Sequence, residues 1–98
     1  MVYKVILTHP AKKDLLFIMD WYDKQQQNLG YKFYEDYVES RHYLNLNPFL
    51  FRKGIQGLYE LGLSKFPYLI IYDIQDTAVI IYAVFNTSKN PLKKPSKF

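Results

Sequence analysis

The stretch from Phe66 to Phe85 limits what this chain can fold into more than any other part of it. Phe66-Pro67 opens the run Tyr68-Leu69-Ile70-Ile71-Tyr72, rich in the aromatic and β-branched residues that favour strands. Asp73-Ile74-Gln75-Asp76-Thr77 contains a turn, and Ala78 to Phe85 returns as another strand, so the segment predicts a β-hairpin. Side chains alternate between the faces of a strand. Tyr68, Ile70 and Tyr72 therefore oppose Leu69 and Ile71, while Ile80, Tyr82 and Val84 oppose Val79, Ile81, Ala83 and Phe85. A sheet with one wet face alternates apolar with polar residues. This hairpin is apolar on both faces and needs cover on both.

The rest of the chain offers cover for one. Val2 to Leu7 predicts a first strand, and Thr8-His9-Pro10 a helix start, a capping residue followed by proline in the first turn. Leu15, Ile18, Met19 and Tyr22 then recur at the spacing of one helical face. Gln25-Gln26-Gln27-Asn28 breaks the pattern as the turn of a helical hairpin. A second helix is expected from Leu29 to Leu46, with Leu29, Phe33, Tyr37 and Leu44 on one face and Asn47-Pro48 as its stop. Phe49 to Gly54 is an irregular connection. Ile55 to Leu63 predicts a second strand, bent or bulged at Gly57 and Gly62. The expected fold is α+β in the order β-α-α-β-β-β, a helical hairpin packed on one face of a mostly antiparallel four-stranded sheet.

Two helices of about 15–18 residues cover one face of four strands but hardly two. An uncovered apolar face marks a protein interaction site. Tyr68, Ile70, Tyr72, Ile80, Tyr82 and Val84 are the residues expected to meet a partner. The alternatives are that Phe49–Gly54 or the tail folds back over the face, or that the chain self-associates.

Ninety-eight residues suit a single domain, expected over 1–90, with 91–98 as a basic, loosely ordered tail broken by Pro91 and Pro95. The absence of cysteine excludes disulfides and thiolate metal sites and suits a reducing compartment. Val5-Ile6-Leu7 is too short for a signal-peptide core, and Ala78–Phe85 falls well below the roughly 20 residues of a spanning helix. A cytoplasmic location, without membrane association, is therefore expected. The net charge of +4 favours anionic partners, although Lys89, Lys93, Lys94 and Lys97 place part of that excess in the tail. His9 and His42 lie far apart without patterned carboxylates, so no metal site is expected. No glycine loop cradles a phosphate, and no cofactor is expected. Asp20 and Asp23 read as the wet face of the first helix. Trp21 and Tyr22 read as packing against the second helix, with a binding hot spot as the alternative.

Several of these residues together resemble the RelE/ParE toxin superfamily of type II toxin–antitoxin systems, in its ParE-like, plasmid-stabilisation branch. They are Thr8-His9-Pro10-Ala11 with Asp14-Leu15 after the opening strand, Trp21-Tyr22, and Leu29-Gly30 followed by Phe33. Asn47-Pro48, Phe66-Pro67-Tyr68 with Ile71-Tyr72, and Ala83-Val84-Phe85 leading to Asn90-Pro91 complete the set. The similarity lies in their order and spacing over residues 2–92. It implies a toxin neutralised by a co-produced antitoxin that lays a helical or extended segment across apolar grooves and sheet, as a toxin–antitoxin hetero-oligomer, with a homodimer as the alternative.

RelE-type members cleave messenger RNA on the ribosome, stabilising the transition-state phosphate with basic residues and moving protons with Tyr or His. At the corresponding positions this chain has Glu60 and Gly62 on the second strand, Leu69 on the third, Thr87 past the fourth, and Lys93 in place of a C-terminal tyrosine. A carboxylate at position 60 repels a phosphate. In ParE-like relatives the position of Tyr59 is often basic and that of Asn86 often histidine, and this chain departs at both. The reading is a growth inhibitor that acts by binding, with DNA gyrase the target the resemblance implies and Arg52, Lys53 and Lys89 as target-binding candidates. One alternative is a ribosome-dependent endoribonuclease using Arg52, Lys65 and Lys89 in an altered arrangement. Another is a non-toxic homologue kept as an antitoxin-binding module, for which Glu60, Tyr59 and Asn86 argue.

Overall fold

The computed structural model describes residues 2–87, and the 91–98 tail lies outside them. Strand β1 (Lys4–Leu7) leads into helices α1 (His9–Gln25) and α2 (Leu29–Leu46), followed by β2 (Arg52–Lys53), β3 (Tyr59–Gly62), β4 (Tyr68–Gln75) and β5 (Ala78–Asn86). The strands form one mixed sheet in the order β1-β5-β4-β3-β2. β1 runs parallel to β5, and the other pairs are antiparallel. No helix among the described residues is long and apolar enough to cross a membrane.

The sheet thus has five strands where four were expected. Gln56 and Gly57 both take positive φ, 68° and 74°, which turns the chain sharply just before Leu58. The expected Ile55–Leu63 strand is split there, leaving Tyr59–Gly62 as its regular part. Arg52 and Lys53 lie alongside it as a short edge strand. β1 begins at Lys4 rather than Val2 because Tyr3 is engaged elsewhere. Its N–H donates to the Asn45 carbonyl at 2.8 Å, and the Asn45 amide donates to the Tyr3 carbonyl at 2.9 Å. These bonds tie the end of α2 to the start of the sheet.

Thr8 fixes the start of α1 twice. Its hydroxyl accepts from the Ala11 N–H as a helix cap and donates to the Ile81 carbonyl at 2.7 Å. β1 pairs with β5 only as far as Ile81, so β5 is open on that edge beyond it. α1 takes over the edge, with the Asp14 carboxylate accepting from the Val84 N–H at 3.0 Å. Gly30 lets the two helices meet closely, since a Cβ there would collide with the Met19 carbonyl. Its N–H donates to Asp23 at 2.8 Å.

The core lies between the helices and one sheet face: Ala11, Leu15 and Ile18 from α1, Phe33, Tyr37 and Leu44 from α2, and Ile70, Tyr72, Val79 and Ile81 below. Tyr22, Phe33, Phe66 and Tyr68 pack edge-on and stacked at one end, with centroids 5.1 to 6.2 Å apart. Asp36 is buried beside them on α2. Its carboxylate accepts from the N–H groups of Ser64, Lys65 and Phe66 at 3.3, 2.9 and 3.0 Å. One side chain thereby holds the whole turn between β3 and β4.

Two predictions follow from these carboxylates. Asp36→Ala strands three backbone donors and should lower unfolding stability by about 3 kcal/mol in urea titration, with Asp36→Asn losing less. Burial raises the Asp14 carboxyl above its ordinary 3.8, and the Val84 N–H offsets part of the rise. A raised folded-state value means a contribution that is present below the unfolded value and lost as pH climbs through the folded one. Asp14→Asn keeps an acceptor without a charge to desolvate, so its stability relative to the parent should rise as pH climbs above about 4 and level off once the folded-state carboxyl is ionised. A flat or falling difference would contradict this.

Candidate functional site

The sheet face turned away from the helices is the first candidate surface. Ladder partners share a face, and the β4–β5 register decides which residues occupy it. Ile71 pairs with Ala83 but Tyr72 pairs with Ile81, so Tyr82 is the extra residue of a β-bulge. Strict alternation along β5 fails at that point. Tyr68, Ile70, Tyr72 and Val84 are buried in the core beneath the helices. Ile80, opposite Asp73 and Ile6, belongs to the other face and is half-buried, as is Tyr82. The six residues expected to form one partner-facing set are therefore divided, with four inside, Ile80 outside and Tyr82 half-buried at the bulge. The bulge is the physical reason, and a period-two reading has no means of seeing it.

The middle of the outer face is nonetheless apolar, with Glu60 beside Ile71 and Asp73 beside Ile80 on the same side. Leu69 pairs with Phe85, Ile71 with Ala83, and Ile6 with Ile80. Ile71 and Ala83 are buried at its middle, Leu69, Phe85 and Ile80 are half-buried, and Ile6 is 38% exposed at one side. None of the described helices packs on it.

The second candidate surface is the β2 edge. The side chain of Arg52 is 72% exposed and that of Glu60 6%, and the guanidinium donates to the carboxylate at 2.8 Å. Gly54 makes room for the carboxylate, because a Cβ there would strike it. Lys53 sets its ammonium 5.2 Å above the Tyr59 ring. Tyr59 stacks on Tyr72 at 5.3 Å and 17°, and the Tyr72 hydroxyl donates to the Pro48 carbonyl at 2.6 Å. Burial first, and Tyr59 second, push the Tyr72 phenol well up. Phe49 joins the row edge-on to Tyr59 and to Tyr3, and it is exposed beside the more exposed Leu50. A cation therefore does stand at Tyr59, supplied by the neighbouring strand.

The structure brings Arg52 and Lys53 together but not Lys65, which is exposed past the far end of β3 with its backbone held by Asp36. Lys89 lies outside the described residues. Tyr68, buried with Tyr22 beside it, is pushed up to about 12, while the Asn86 amide donates to its hydroxyl at 3.1 Å. Tyr22 packs in the aromatic cluster against Phe33, and Trp21 is edge-on to Tyr22 and 42% exposed. Among the described residues no three His, Asp or Glu side chains converge to hold a metal. Asp36 and Asp14 carry structural weight that the sequence reading missed. The only signal was their place on otherwise apolar helical faces, next to Phe33 and Tyr37 for Asp36 and to Leu15 and Ile18 for Asp14.

This helical hairpin over a mixed sheet has known counterparts. Residues 5–91 match the family described as ParE toxin of type II toxin-antitoxin system, parDE. The chain belongs to that toxin family. Its fold matches a solved chain described as "Chromosomal ParDE TA system from P. aeruginosa", with a TM-score of 0.79 over 87% of this chain and 96% of that one. The two are 20% identical, so the likeness is one of fold. No curated protein matches the chain.

The division of the sheet into inner and outer faces is directly testable. Ile81→Lys places a charge in the core and should abolish folding or cost more than about 4 kcal/mol. Its neighbour Ile80→Lys should cost about 1 kcal/mol and leave the circular dichroism spectrum unchanged. Equal losses would place Ile80 in the core.

Proposed function

We propose that this ParE-family chain inhibits growth by binding a cellular target, and that a co-produced antitoxin in the same cytoplasm silences it. DNA gyrase is the target that the likeness to characterised ParE relatives implies. The observation that carries a binding mode over RNA cleavage is Glu60. It stands where RNA-cleaving relatives place a basic residue, and it engages Arg52 at 2.8 Å. The net charge beside a phosphate at that spot is near zero rather than positive, which removes the main electrostatic means of stabilising a pentacoordinate phosphate. Lys53 over Tyr59, with Phe49 and Leu50 exposed alongside, instead offers an apolar and cationic edge suited to a protein surface.

The antitoxin reading is supported by the description of the P. aeruginosa relative, which names a ParDE system. The outer sheet face and the exposed residues of the helical hairpin give such a partner apolar surface to cover. Within this reading Ile80, Tyr82, Leu69 and Phe85 replace the buried Tyr68, Ile70, Tyr72 and Val84 as the sheet residues that meet it.

Induction of the chain alone in a bacterial host should arrest growth and raise the DNA-damage response. Primer extension on abundant messages should show no new 5′ ends, and co-expression of the small protein encoded beside it should restore growth. New cleavages that depend on translating ribosomes would overturn the binding mode. Harmless expression would instead mark a homologue that has kept the fold without the toxicity.

A further inference from the structure

Leu46, Phe49 and Leu50 lie close together at the end of α2 and are 55%, 55% and 73% exposed. Looseness does not explain them. Pro48 between them is fully buried, and its carbonyl accepts from the buried Tyr72 hydroxyl at 2.6 Å. The Asn47 side chain accepts from the Phe49 N–H at 3.2 Å, and the Asn47 carbonyl from the Leu50 N–H at 3.4 Å. The turn is thereby pinned to the core while its apolar side chains face solvent. Phe49 meets Tyr59 edge-on at 6.2 Å, and the same Tyr59 ring carries the Lys53 ammonium at 5.2 Å. Apolar anchors and a cation are therefore parts of one rigid unit. Rigid anchors beside a charged rim have the make-up of a protein-binding hot spot, because docking orders little that is not already ordered.

The charges select the occupant. Among the described residues the ion pairs are Lys24 with Asp20 and Arg52 with Glu60, so Lys53 has no carboxylate within ion-pair reach. Arg52 meets Glu60 through one nitrogen, and its side chain is 72% exposed. A guanidinium has several N–H donors in a fixed fork, so the Glu60 contact orients the group without exhausting it. A second copy of the chain would bring the same cations and a net charge of +4, and residues 88–98 hold four lysines and no acid. Both are repelled. The aliphatic Leu46 and Leu50 give a nucleic acid base no ring to stack on, which favours a protein over an RNA or DNA strand. We propose that Leu46, Phe49 and Leu50, with Arg52 and Lys53, dock an acidic protein surface. Its apolar centre sits on the three anchors, and one carboxylate meets the Arg52 guanidinium and another the Lys53 ammonium. This deepens the binding mode above by stating the chemistry of the target, and it rests on that mode for growth arrest alone.

The test places the photo-crosslinking residue p-benzoylphenylalanine at Leu50 of the full-length chain, induced briefly in a bacterial host. Irradiation should give one predominant protein adduct, and sequencing of the crosslinked peptide should show Asp or Glu close to the point of attachment. Lys53→Glu in the same chain should cut the adduct at least about fivefold. Lys13→Glu, the same charge change on an exposed position of α1, should leave it intact. Leu50→Asp alters an exposed side chain, so it should keep the parent Tm and lose the growth arrest. The inference is overturned by the absence of an adduct, by crosslinks to nucleic acid or to neutral or basic peptides, or by equal losses in the two charge variants. A folded Leu50→Asp chain that arrests growth like the parent would overturn it as well. A parent chain that crosslinks to an acidic peptide without arresting growth removes the toxicity reading and leaves the docking surface standing.

Discussion

Strand β5 is the element on which the others depend. It pairs with β1 on one edge and β4 on the other, and its inner residues Val79, Ile81 and Val84 form the floor of the core. Where β1 stops, α1 continues the contact through Thr8 on the Ile81 carbonyl and Asp14 on the Val84 N–H. A buried strand edge needs partners for its N–H and C=O groups. Here a helix supplies them, and so the α1 direction is fixed relative to the sheet. With α1 fixed, the close approach at Gly30 sets α2, and Asp36 on α2 sets the turn that leads into β4. The chain of dependence returns to the hairpin where it began.

The same arrangement decides which surfaces remain for partners. Both helices lie over the inner face, and the bulge at Tyr82 sorts the apolar residues of the hairpin between core and exterior. The outer face keeps Leu69, Ile71, Ala83, Phe85, Ile80 and Ile6, while the helical hairpin keeps a groove between Leu16 and Tyr34. Apolar surface in two places on so small a domain suits a polypeptide that wraps rather than one that docks at a point. The β2 edge differs in character. Its aromatic row from Tyr3 through Phe49 and Tyr59 to Tyr72 is a stiff platform that carries Lys53, and its ion pair is internal.

Much of the fold was legible because its signals are local and periodic. The α1 and α2 faces, the Thr8 cap and the Asn47-Pro48 stop each depend on residues within a few positions of one another, and the helix bounds came out within one or two residues. The β2 strand was not legible, since two exposed charged residues carry no strand signal and pair only because Gln56 and Gly57 reverse the chain. The candidate partner surface suffered more. A single bulge moves Val84 to the core side of β5 while Ile80 stays outside, and a bulge in an all-apolar strand leaves no mark in the pattern. The Arg52–Glu60 pair was likewise hidden, because each residue could be read alone but their register could not. The family likeness rested on order and spacing along the whole chain, which such local errors do not disturb.

Occupying a surface, rather than cutting RNA, is the proposed mode of action. Titration of the purified chain into a DNA gyrase supercoiling reaction, in the absence of ribosomes, tests that most directly. Saturable inhibition near equimolar chain and enzyme, diminished by loss of Lys53, is the predicted result. Undiminished supercoiling at large excess of a folded, growth-arresting chain would contradict it.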